Sequence, residues 1–311
     1  MKSHKTSTKV IYIMGSGHSG STVLDIVLGN NPDIVSVGEL SNFIQKGKTN
    51  GEYCACGQPT NTCLFWSNIY WEWARRIEID EVEGYLSLQN TFEHFKRWFH
   101  LLRKKRRDFQ SSRFRAYAEC TRALFEAISV VSGKNIIVDS SKNPVRALAL
   151  SMMPGIDLRL VHLVRDGRGV VWSFMKKGAK GKSIRSKRVY TSPWLASFEW
   201  LLNNAASGFV LKEADLHGIR IRYEDFVEQP KKVLRNISRA LEIGLEPVID
   251  DLLSGREMKI GHNIAGNRVR MTGSIRLRPD YEWKERLPKN DQIAFWLLAG
   301  SLARKYGYSL N

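Results

Sequence analysis

Long apolar runs are missing from this sequence of 311 residues. The basic N-terminal residues are followed only by the short apolar stretch from Val10 to Met14, which is too short for a signal peptide. No later segment reaches the length needed to cross a bilayer. Cysteines are few as well, and four in a chain of this size do not indicate a disulfide scaffold. These absences predict a soluble, cytoplasmic protein, for which peripheral contact with a membrane stays open.

Acidic residues are scarce relative to basic ones. Asp and Glu number 31 against 48 Lys and Arg, which gives a formal net charge of +17. Such a surface attracts polyanions, phosphorylated cofactors or acidic lipid head groups, but the attraction alone does not identify the partner. The charge and the aromatic residues interleaved with it leave a nonenzymatic nucleic-acid-binding protein open as one interpretation.

Strand-like segments alternate with helix-like segments along most of the chain, which favours a parallel, doubly wound sheet. A helix from Val23 to Leu28 follows the first strand, and another is predicted near Asp291–Lys305. The length suits one large α/β domain with insertions or two smaller domains that share a cleft. Four buried strands are predicted, at Lys9–Met14, Asn135–Val138, Leu158–Val164 and Gly218–Tyr223.

Little strand signal occurs between Trp66 and Val131, where aromatic and basic residues recur at helical spacings. We therefore predict a helical insertion at about 66–133. Its run from Phe92 to Phe109 favours a solvated basic helix, with a membrane-surface or glycan-binding face as the alternative. The segment from Lys176 to Ser183, rich in Gly and Lys, predicts a mobile loop outside any helix or strand.

A glycine-rich loop, GSGHSGST at Gly15–Thr22, lies between the first predicted strand and its helix. Backbone N–H groups are unpaired at such a place and the helix dipole adds positive potential, so Ser19 to Thr22 are placed to hold a phosphate. No Gly-Lys-Ser/Thr follows at the distance that a Walker A motif requires. The glycine spacing also fits a dinucleotide fingerprint. No acidic residue is predicted to end a second strand where that motif needs one, however, and Glu39 is the nearest candidate.

A second motif follows the predicted strand Leu158–Val164. Arg165 comes at the end of this strand, and Ser173 lies two helical turns further on. Together the two side chains could hold one phosphate from two sides. Taken alone, the pattern favours a simpler interpretation, in which Arg165 pairs with a neighbouring carboxylate and Ser173 is an ordinary helix residue.

Taken together, the two motifs resemble the sulfotransferases that depend on 3′-phosphoadenosine 5′-phosphosulfate (PAPS), in particular the bacterial members related to the tyrosylprotein type. Gly17 to Thr22 resemble the 5′-phosphosulfate loop of that family, and Arg165 to Ser173 resemble its 3′-phosphate motif. The motifs span residues 9 to 270 in the family's order. The further matching segments are VGEL with Glu39, DSSKNP with Lys142, RYED with Tyr223, and Gly266-Asn267-Arg268.

The resemblance implies a single sulfotransferase domain over residues 1–311 that contains the helical insertion. It implies an α/β fold with a P-loop-like core, in which helices flank a central parallel sheet. The cofactor-binding residues that it implies are Gly17, His18, Ser19, Gly20, Ser21 and Thr22 in the loop, Arg165 and Ser173 at the 3′-phosphate, Tyr223 against the adenine, and Gly266, Asn267 and Arg268 in a late loop.

The resemblance also implies the catalytic groups. Glu39 falls where many bacterial members carry their catalytic glutamate, and Lys142 where they place a lysine near the transferring group. The alternatives are a helix-capping role for Glu39 and a solvent-exposed loop cation for Lys142. His18 departs from the family, which usually has lysine or arginine there. An adjacent phosphosulfate would favour its charged form, so His18 remains a candidate catalytic residue, with a loop-shaping role as the alternative.

Cys54, Cys56 and Cys63 form a close cluster in the sequence. Three thiols could bind zinc, but a closed structural site needs four ligands and the sequence names no fourth. Similar cysteine clusters occur in some bacterial relatives, which implies a structural role at most. We predict no catalytic metal.

The function implied by the resemblance is transfer of a sulfuryl group from PAPS to a hydroxyl or amine, with adenosine 3′,5′-bisphosphate as the product. Aromatic and basic residues between Trp66 and Arg115 favour a carbohydrate, a small molecule or an anionic acceptor. No nucleic-acid partner is expected. The alternatives are a kinase of P-loop-like fold, which would lack the Walker lysine, and a nonenzymatic nucleic-acid-binding protein.

Overall fold

A computed structural model describes residues 7–95, 98, 111–179, 192–213 and 217–310 of the chain. Its centre is one five-stranded sheet in which all neighbouring strands are parallel. The strand order is β2-β3-β1-β4-β5. The strands are β1 (Thr8–Met14), β2 (Ile34–Gly38), β3 (Ile136–Lys142), β4 (Ile156–Val164) and β5 (Gly218–Arg222).

Helices flank this sheet, and the predicted α/β fold is confirmed. They are α1 (Ser21–Gly29), α2 (Leu64–Ala74), α3 (Ile79–Glu93), α4 (Ser112–Ser132), α5 (Pro144–Leu150), α6 (Gly167–Ala179), α7 (Pro193–Glu213), α8 (Tyr223–Glu228), α9 (Pro230–Leu241), α10 (Glu246–Leu253), α11 (Trp283–Arg286) and α12 (Lys289–Lys305). Smaller elements are the 3₁₀ helices Leu40–Asn42 and Arg268–Met271, the π-helix Phe43–Thr49, and the hairpin of β6 (Met258–Lys259) and β7 (Ser274–Ile275).

The central strand β1 is apolar on both faces. Val10, Tyr12 and Met14 join one buried cluster together with residues of α4 and α5. Ile11 and Ile13 point the other way, into a second cluster that contains residues of α1 and α9. A strand covered on both faces reads as a continuous apolar run, which is why the sequence alone predicted it.

The second strand was missed by the sequence patterns. β2 has five residues, IVSVG, and its central Ser36 is polar. The Ser36 hydroxyl is nevertheless buried, because it donates to Asp25 Oδ1 of α1 at 2.9 Å. A short strand with a hydrogen-bonded serine in the middle carries neither an apolar run nor a clear alternation.

Two further predictions need correction or a limit. α6 continues to Ala179, so the first four residues of the segment predicted as a loop, Lys176–Ser183, are helical. α3 ends at Glu93, with His94 in an extended conformation, so the run Phe92–Phe109 is not one continuous helix. Residues 180–183 and most of the run beyond Phe95 lie outside the described residues.

Three helices, α2, α3 and α4, occupy the region for which a helical insertion was predicted. α2 and α3 both pack on α4, and aromatic rings fill the contact, with the rings of Trp73 and Tyr85 edge to face at 5.1 Å. α4 begins at a cap in which the Ser111 hydroxyl accepts from the Phe114 amide at 3.3 Å. None of the helices within the described part of the chain is both long and apolar enough to span a membrane.

Candidate donor and transfer site

The glycine-rich loop connects β1 to α1 at the carboxyl edge of the sheet, where open parallel sheets bind ligands. Gly20 has φ 91°, and a Cβ there would lie 2.4 Å from the Tyr223 ring. Only glycine fits this turn, both for its conformation and for its contact with the ring. α1 begins directly after this turn, at Ser21, so its N-terminus lies beside the Tyr223 ring.

Buried donors gather at this loop without partners. Among the described residues, the hydroxyls of Ser16 and Ser19 and the Nε of Arg165 make no hydrogen bond, although Ser16 is 0% and Ser19 1% exposed. Leaving a buried donor unpaired costs about 1–3 kcal/mol. Each of these donors is suited to bind an oxygen of an anion, so the loop region fits phosphate or sulfate groups.

Arg165 joins the loop to two later segments. Its Nη1 donates to the His18 carbonyl at 3.1 Å, and its Nη2 lies 2.9 Å from the Asp280 carboxylate. The guanidinium carbon stands 4.9 Å from the centre of the Tyr223 ring. The carboxylate pairing that the sequence left open is thus present, but its partner is 115 residues away along the chain.

Ser173 meets the same loop from α6. Its hydroxyl lies 3.0 Å from His18 Nδ1, and the His18 ring packs edge to face on Phe174 at 4.4 Å. His18 has φ 63°, in the left-handed region. The two phosphate motifs predicted separately, the loop and the Arg165–Ser173 segment, therefore converge on His18.

Glu39 and Lys142 form an ion pair at the same edge of the sheet. Glu39 directly follows β2 and Lys142 ends β3, and the strand order makes these two strands neighbours. The side chains are 14% and 19% exposed. Glu39 also accepts from Asn42 Nδ2 at 2.8 Å and makes no helix-capping bond with its side chain. Glu39 thus stands at the N-cap of the 3₁₀ helix Leu40–Asn42 through its backbone, while its carboxylate pairs with Lys142, whose side chain is mostly shielded from solvent.

Glu39, the nearest acidic candidate for a dinucleotide fingerprint, directly follows β2, but β2 is separated from β1 by β3. The dinucleotide fingerprint needs its acidic residue on the strand beside β1, where it reaches the ribose. Glu39 therefore lies beside the wrong strand for that fingerprint, and its side chain pairs with Lys142.

The late loop connects the two halves of the site. The Glu39 amide donates to the Ile264 carbonyl at 3.0 Å, and the Asn267 amide donates to Thr22 Oγ1 at 3.2 Å. Gly266 has φ 83°, and a Cβ there would come 3.0 Å from Thr22 Oγ1 and 3.3 Å from Glu39 Oε1. Arg268, the first residue of the following 3₁₀ helix, is exposed.

A fully buried cation supports the end of β3. Arg146 is 0% exposed and donates to Asp139 Oδ2 through Nη2 at 3.2 Å and to Glu93. Asp139 Oδ1 accepts from the Ser141 amide at 3.0 Å, and Ser141 Oγ in turn accepts from the Ser41 amide at 3.0 Å. The chain after Glu39 is thereby fixed to the strand that carries Lys142.

A second buried carboxyl group lies behind β2 and β3. Asp25 on α1 accepts from the hydroxyls of Ser36 and Ser140, each at 2.9 Å, and from Asn263 Nδ2 at 3.0 Å. Burial raises the pKa of Asp25 to about 7, although these hydrogen bonds oppose the shift. This group ties the late loop to the sheet from below.

A separate cavity of about 530 Å³ lies next to this cluster. Asp166 and Glu224, the neighbours of Arg165 and Tyr223 in sequence, line it together with Tyr308. Tyr308 donates to Glu224 Oε2 at 2.7 Å, and Glu224 Oε1 accepts from the Asp166 amide at 3.0 Å. None of the predicted site residues lines this cavity, so we assign the site by its converging polar groups and not by cavity size.

The sequence missed several residues of the site. Ser16 lies within the glycine-rich loop, and its buried, unpaired hydroxyl makes it a candidate anion donor that the residue type alone could have suggested. Asn42 and Asp280, the partners of Glu39 and Arg165, stand in segments without any local signal. The predicted site residues lie in or beside this cluster, with Arg268 at its exposed rim.

The chain belongs to the sulfotransferase family. The family model matches residues 10–247, which include the loop, Glu39, Lys142 and the Arg165–Ser173 segment. No curated protein matches the sequence significantly.

Solved structures share the fold. The sulfotransferase domain from the curacin biosynthetic pathway is 17% identical at a TM-score of 0.51, over 97% of this chain and 99% of its own. The sulfotransferase domain of the Synechococcus PCC 7002 olefin synthase is 19% identical at 0.51, over 99% and 98%. Sulfotransferase STF9 from Mycobacterium avium is 12% identical at 0.52, over 98% and 78%.

Proposed function

We propose that this protein transfers a sulfuryl group from PAPS to a hydroxyl or amine of an acceptor. One observation carries the proposal. The two phosphate motifs meet at His18, beside the unpartnered donors of Ser16, Ser19 and Arg165. Two anion-binding groups at one edge of the sheet suit a nucleotide that bears phosphates at both its 5′ and 3′ ends, as PAPS does.

On the donor side, the amides of Gly17 to Thr22 and the Ser19 hydroxyl would hold the 5′-phosphosulfate. Arg165 and Ser173 would hold the 3′-phosphate. Tyr223 presents a ring that is already stacked under a guanidinium, and its remaining face would contact the adenine. Gly266, Asn267 and Arg268 would close the nucleotide from the side of the late loop.

On the transfer side, PAPS supplies an activated sulfuryl group, and the protein supplies alignment and charge stabilisation. Glu39 accepts the proton of the attacking hydroxyl or amine as general base. Lys142 stabilises the negative charge that develops on the leaving oxygen, helped by His18 and the loop amides. Lys142 Nζ contacts Glu39 Oε1, so the proposed base and the proposed cation lie side by side.

For the acceptor we propose a carbohydrate or another small hydroxyl compound. Helices α2 to α4 border the transfer side, since Gln89 of α3 donates to the Ser41 carbonyl at 2.8 Å. This region also carries exposed aromatic side chains, including Trp71 at 67% exposure. Aromatic faces suit the apolar faces of sugar rings.

The first test is binding of the purified chain to immobilised adenosine 3′,5′-bisphosphate. Free bisphosphate should release the protein, whereas ATP and DNA should not. Release by ATP would favour a kinase, and release by DNA would favour a nucleic-acid-binding protein. An acceptor screen with labelled PAPS then tests the transfer itself, and failure to label any hydroxyl or amine acceptor would contradict the assigned reaction.

A further inference from the structure

The three clustered cysteines gain a fourth neighbour in the structure. Cys54, Cys56 and Cys63 lie in the connection before α2, and His262 comes from the segment that follows β6, 199 residues beyond Cys63. The three sulfurs and one imidazole nitrogen all lie within 4.8 Å of one another. We propose that these four side chains form a closed structural zinc site, which is separate from the proposed sulfuryl-transfer chemistry.

The distances between the ligand atoms suit a tetrahedron. Zinc–sulfur bonds of about 2.3 Å and zinc–nitrogen bonds of about 2.0–2.1 Å place neighbouring ligand atoms about 3.6–3.8 Å apart. The Sγ atoms of Cys56 and Cys63 are 3.6 Å apart. His262 Nδ1 lies 3.6 Å from Cys54 Sγ and 3.3 Å from Cys63 Sγ. A side-chain shift of about 1 Å brings the widest pair into the same range.

The ligand set also selects the metal. Three thiolates and one imidazole are a complete set for structural zinc, and they leave no open position for substrate or water. Oxygen-preferring ions such as Mg²⁺ and Ca²⁺ would find no carboxylate among the four ligands.

Neighbouring groups already hold the ligands in place. The Phe65 ring stacks on His262 at 4.7 Å between centroids, and Trp66 Nε1 donates to the His262 carbonyl at 2.8 Å. The Cys54 amide donates to the Gln58 carbonyl at 2.8 Å, and Gly57 makes the turn at φ 88°. Contacts that orient the ligands raise the affinity of a site for its metal.

The site would position one wall of the transfer site. His262 is followed directly by Asn263, whose carbonyl accepts from the Ala55 amide at 3.0 Å, and then by Ile264, whose carbonyl accepts from the Glu39 amide at 3.0 Å. Zinc would thus join the connection before α2 to the late loop that contacts Glu39. This is a positioning role, and the metal itself would touch no substrate.

Elemental analysis tests the site directly. The full chain is expressed with ZnCl₂ in the medium, purified under reducing conditions and desalted. We expect about one zinc per chain. In the presence of reductant, CoCl₂ added to the metal-free protein should give thiolate-to-cobalt charge transfer and the intense visible bands of a tetrahedral site. A chain that binds neither metal would overturn the proposal.

Variants separate the cluster from the other thiol of the chain. Cys56 is exposed, so Cys56→Ser should fold and yet lose zinc and the cobalt spectrum. His262→Gln should do the same, because the contact of Trp66 is to the backbone of residue 262. Cys120→Ser is the matched control, since Cys120 lies on α4 and is not one of the four clustered side chains, and it should retain one zinc. Full zinc retention in Cys56→Ser would contradict the assignment.

Two further measurements cover the competing outcomes. A Cys56–Cys63 disulfide, found by mass spectrometry after alkylation of the freshly purified protein, would overturn the zinc site in favour of a redox pair. Chelation of zinc should lower the melting temperature of the wild type, and ZnCl₂ should restore it, because metal bound only to the folded chain stabilises it. Cys56→Ser should show neither effect. None of these measurements depends on PAPS binding, so the zinc site can be confirmed or contradicted independently of the proposed function.

Discussion

The two sides of the candidate site differ in how many of their polar groups are already hydrogen-bonded or ion-paired. On the donor side, the buried hydroxyls of Ser16 and Ser19 have no partner among the described residues. On the transfer side, Glu39 and Lys142 already pair with each other, and Asn42 donates to the same carboxylate. Among the described residues, the donor side thus has unpaired buried donors, whereas the carboxylate on the transfer side is already bound to two side chains.

The charged groups that support the two sides also differ in how deeply they are buried. Behind Lys142 lies the fully buried Arg146 with its two carboxylates. Arg165 instead pairs with Asp280, whose side chain is 52% exposed. An exposed partner is screened by water and is exchanged for a ligand at little cost, whereas a buried one is not. We infer that the protein adapts on the donor side and is rigid beneath the transfer side.

The largest expected effect comes from a variant that changes the transfer side alone. Glu39→Gln removes the proposed base, and losing general base catalysis costs about 10²–10⁴-fold in turnover. Binding of adenosine 3′,5′-bisphosphate should stay within about twofold, because the carboxylate acts on the acceptor. Label transfer from PAPS and calorimetric titration measure the two. Glu72→Gln is the control, because Glu72 on α2 is also a carboxylate that pairs with basic residues, here Arg75 and Arg76. Normal turnover in Glu39→Gln would show that another group is the base.

The next effect tests the rigid support. Arg146→Met leaves Asp139 and Glu93 buried without their cation, and breaking a buried pair in this way costs about 3–5 kcal/mol. Urea denaturation should show a loss of that size in the free energy of unfolding. Arg75→Met removes an arginine that is 76% exposed, so its cost should stay below about 1 kcal/mol. Equal stabilities of the two variants would contradict the rigid support.

The donor side is tested through the 3′-phosphate. Arg165→Ala removes the charged partner of that group, which costs about 2–5 kcal/mol, or roughly thirtyfold to several thousandfold in the affinity for adenosine 3′,5′-bisphosphate. Ser173→Ala should cost less, about 1.5–3 kcal/mol. Affinity for AMP, which lacks the 3′-phosphate, should change little in either variant.

Arg159→Ala is the control for Arg165. Arg159 is similarly shielded, with a side chain 10% exposed, and pairs with Asp157 in the first half of β4. It should leave both affinities unchanged. If Arg165→Ala keeps the wild-type preference for the bisphosphate over AMP, the 3′-phosphate is bound elsewhere.

The last expected effect is a dependence of stability on pH. The pKa of Asp25 is raised from 3.8 to about 7 by burial, so the folded chain keeps a proton that the unfolded chain loses near pH 4. Stability from this group is full below about pH 4 and is lost as the pH rises to about 7, at up to about 1.4 kcal/mol per pH unit. Asp25→Asn should flatten the slope in this window, whereas the exposed control Asp33→Asn should not. Parallel curves for wild type and Asp25→Asn would contradict the shift.

The sheet was largely predictable because β1 carries a continuous buried apolar run and β3 and β4 also contain buried apolar residues, although β5 buries only Ile221. Helix α6 extends into the segment predicted as a loop, because adding residues to an existing helix is easier than starting a new one. Gly178 therefore does not end it. β2 was missed because Ser36 interrupts its apolar residues, and only the distant Asp25 makes that serine a core residue.

The site was predictable where one short segment carries it and not where distant segments meet. The loop and the Arg165–Ser173 segment each have a local pattern. Asp280 and His262 have none, because each contributes through a contact with a residue more than 100 positions away. Contacts of that kind leave no periodicity in the sequence, so only the fold can reveal them.

The covering of the glycine-rich loop has a consequence for the order of assembly. Thr22 is bridged by Asn267, 245 residues later, and Arg165 is paired with Asp280. During synthesis the loop leaves the ribosome well before both segments that cover it. β5, the last strand of the central sheet, ends at Arg222, so the sheet can pair before those segments exist. Contacts between distant segments form late, because the chain between them must be ordered first. A nucleotide bound in the proposed site would therefore stabilise the chain only after these segments have reached the loop.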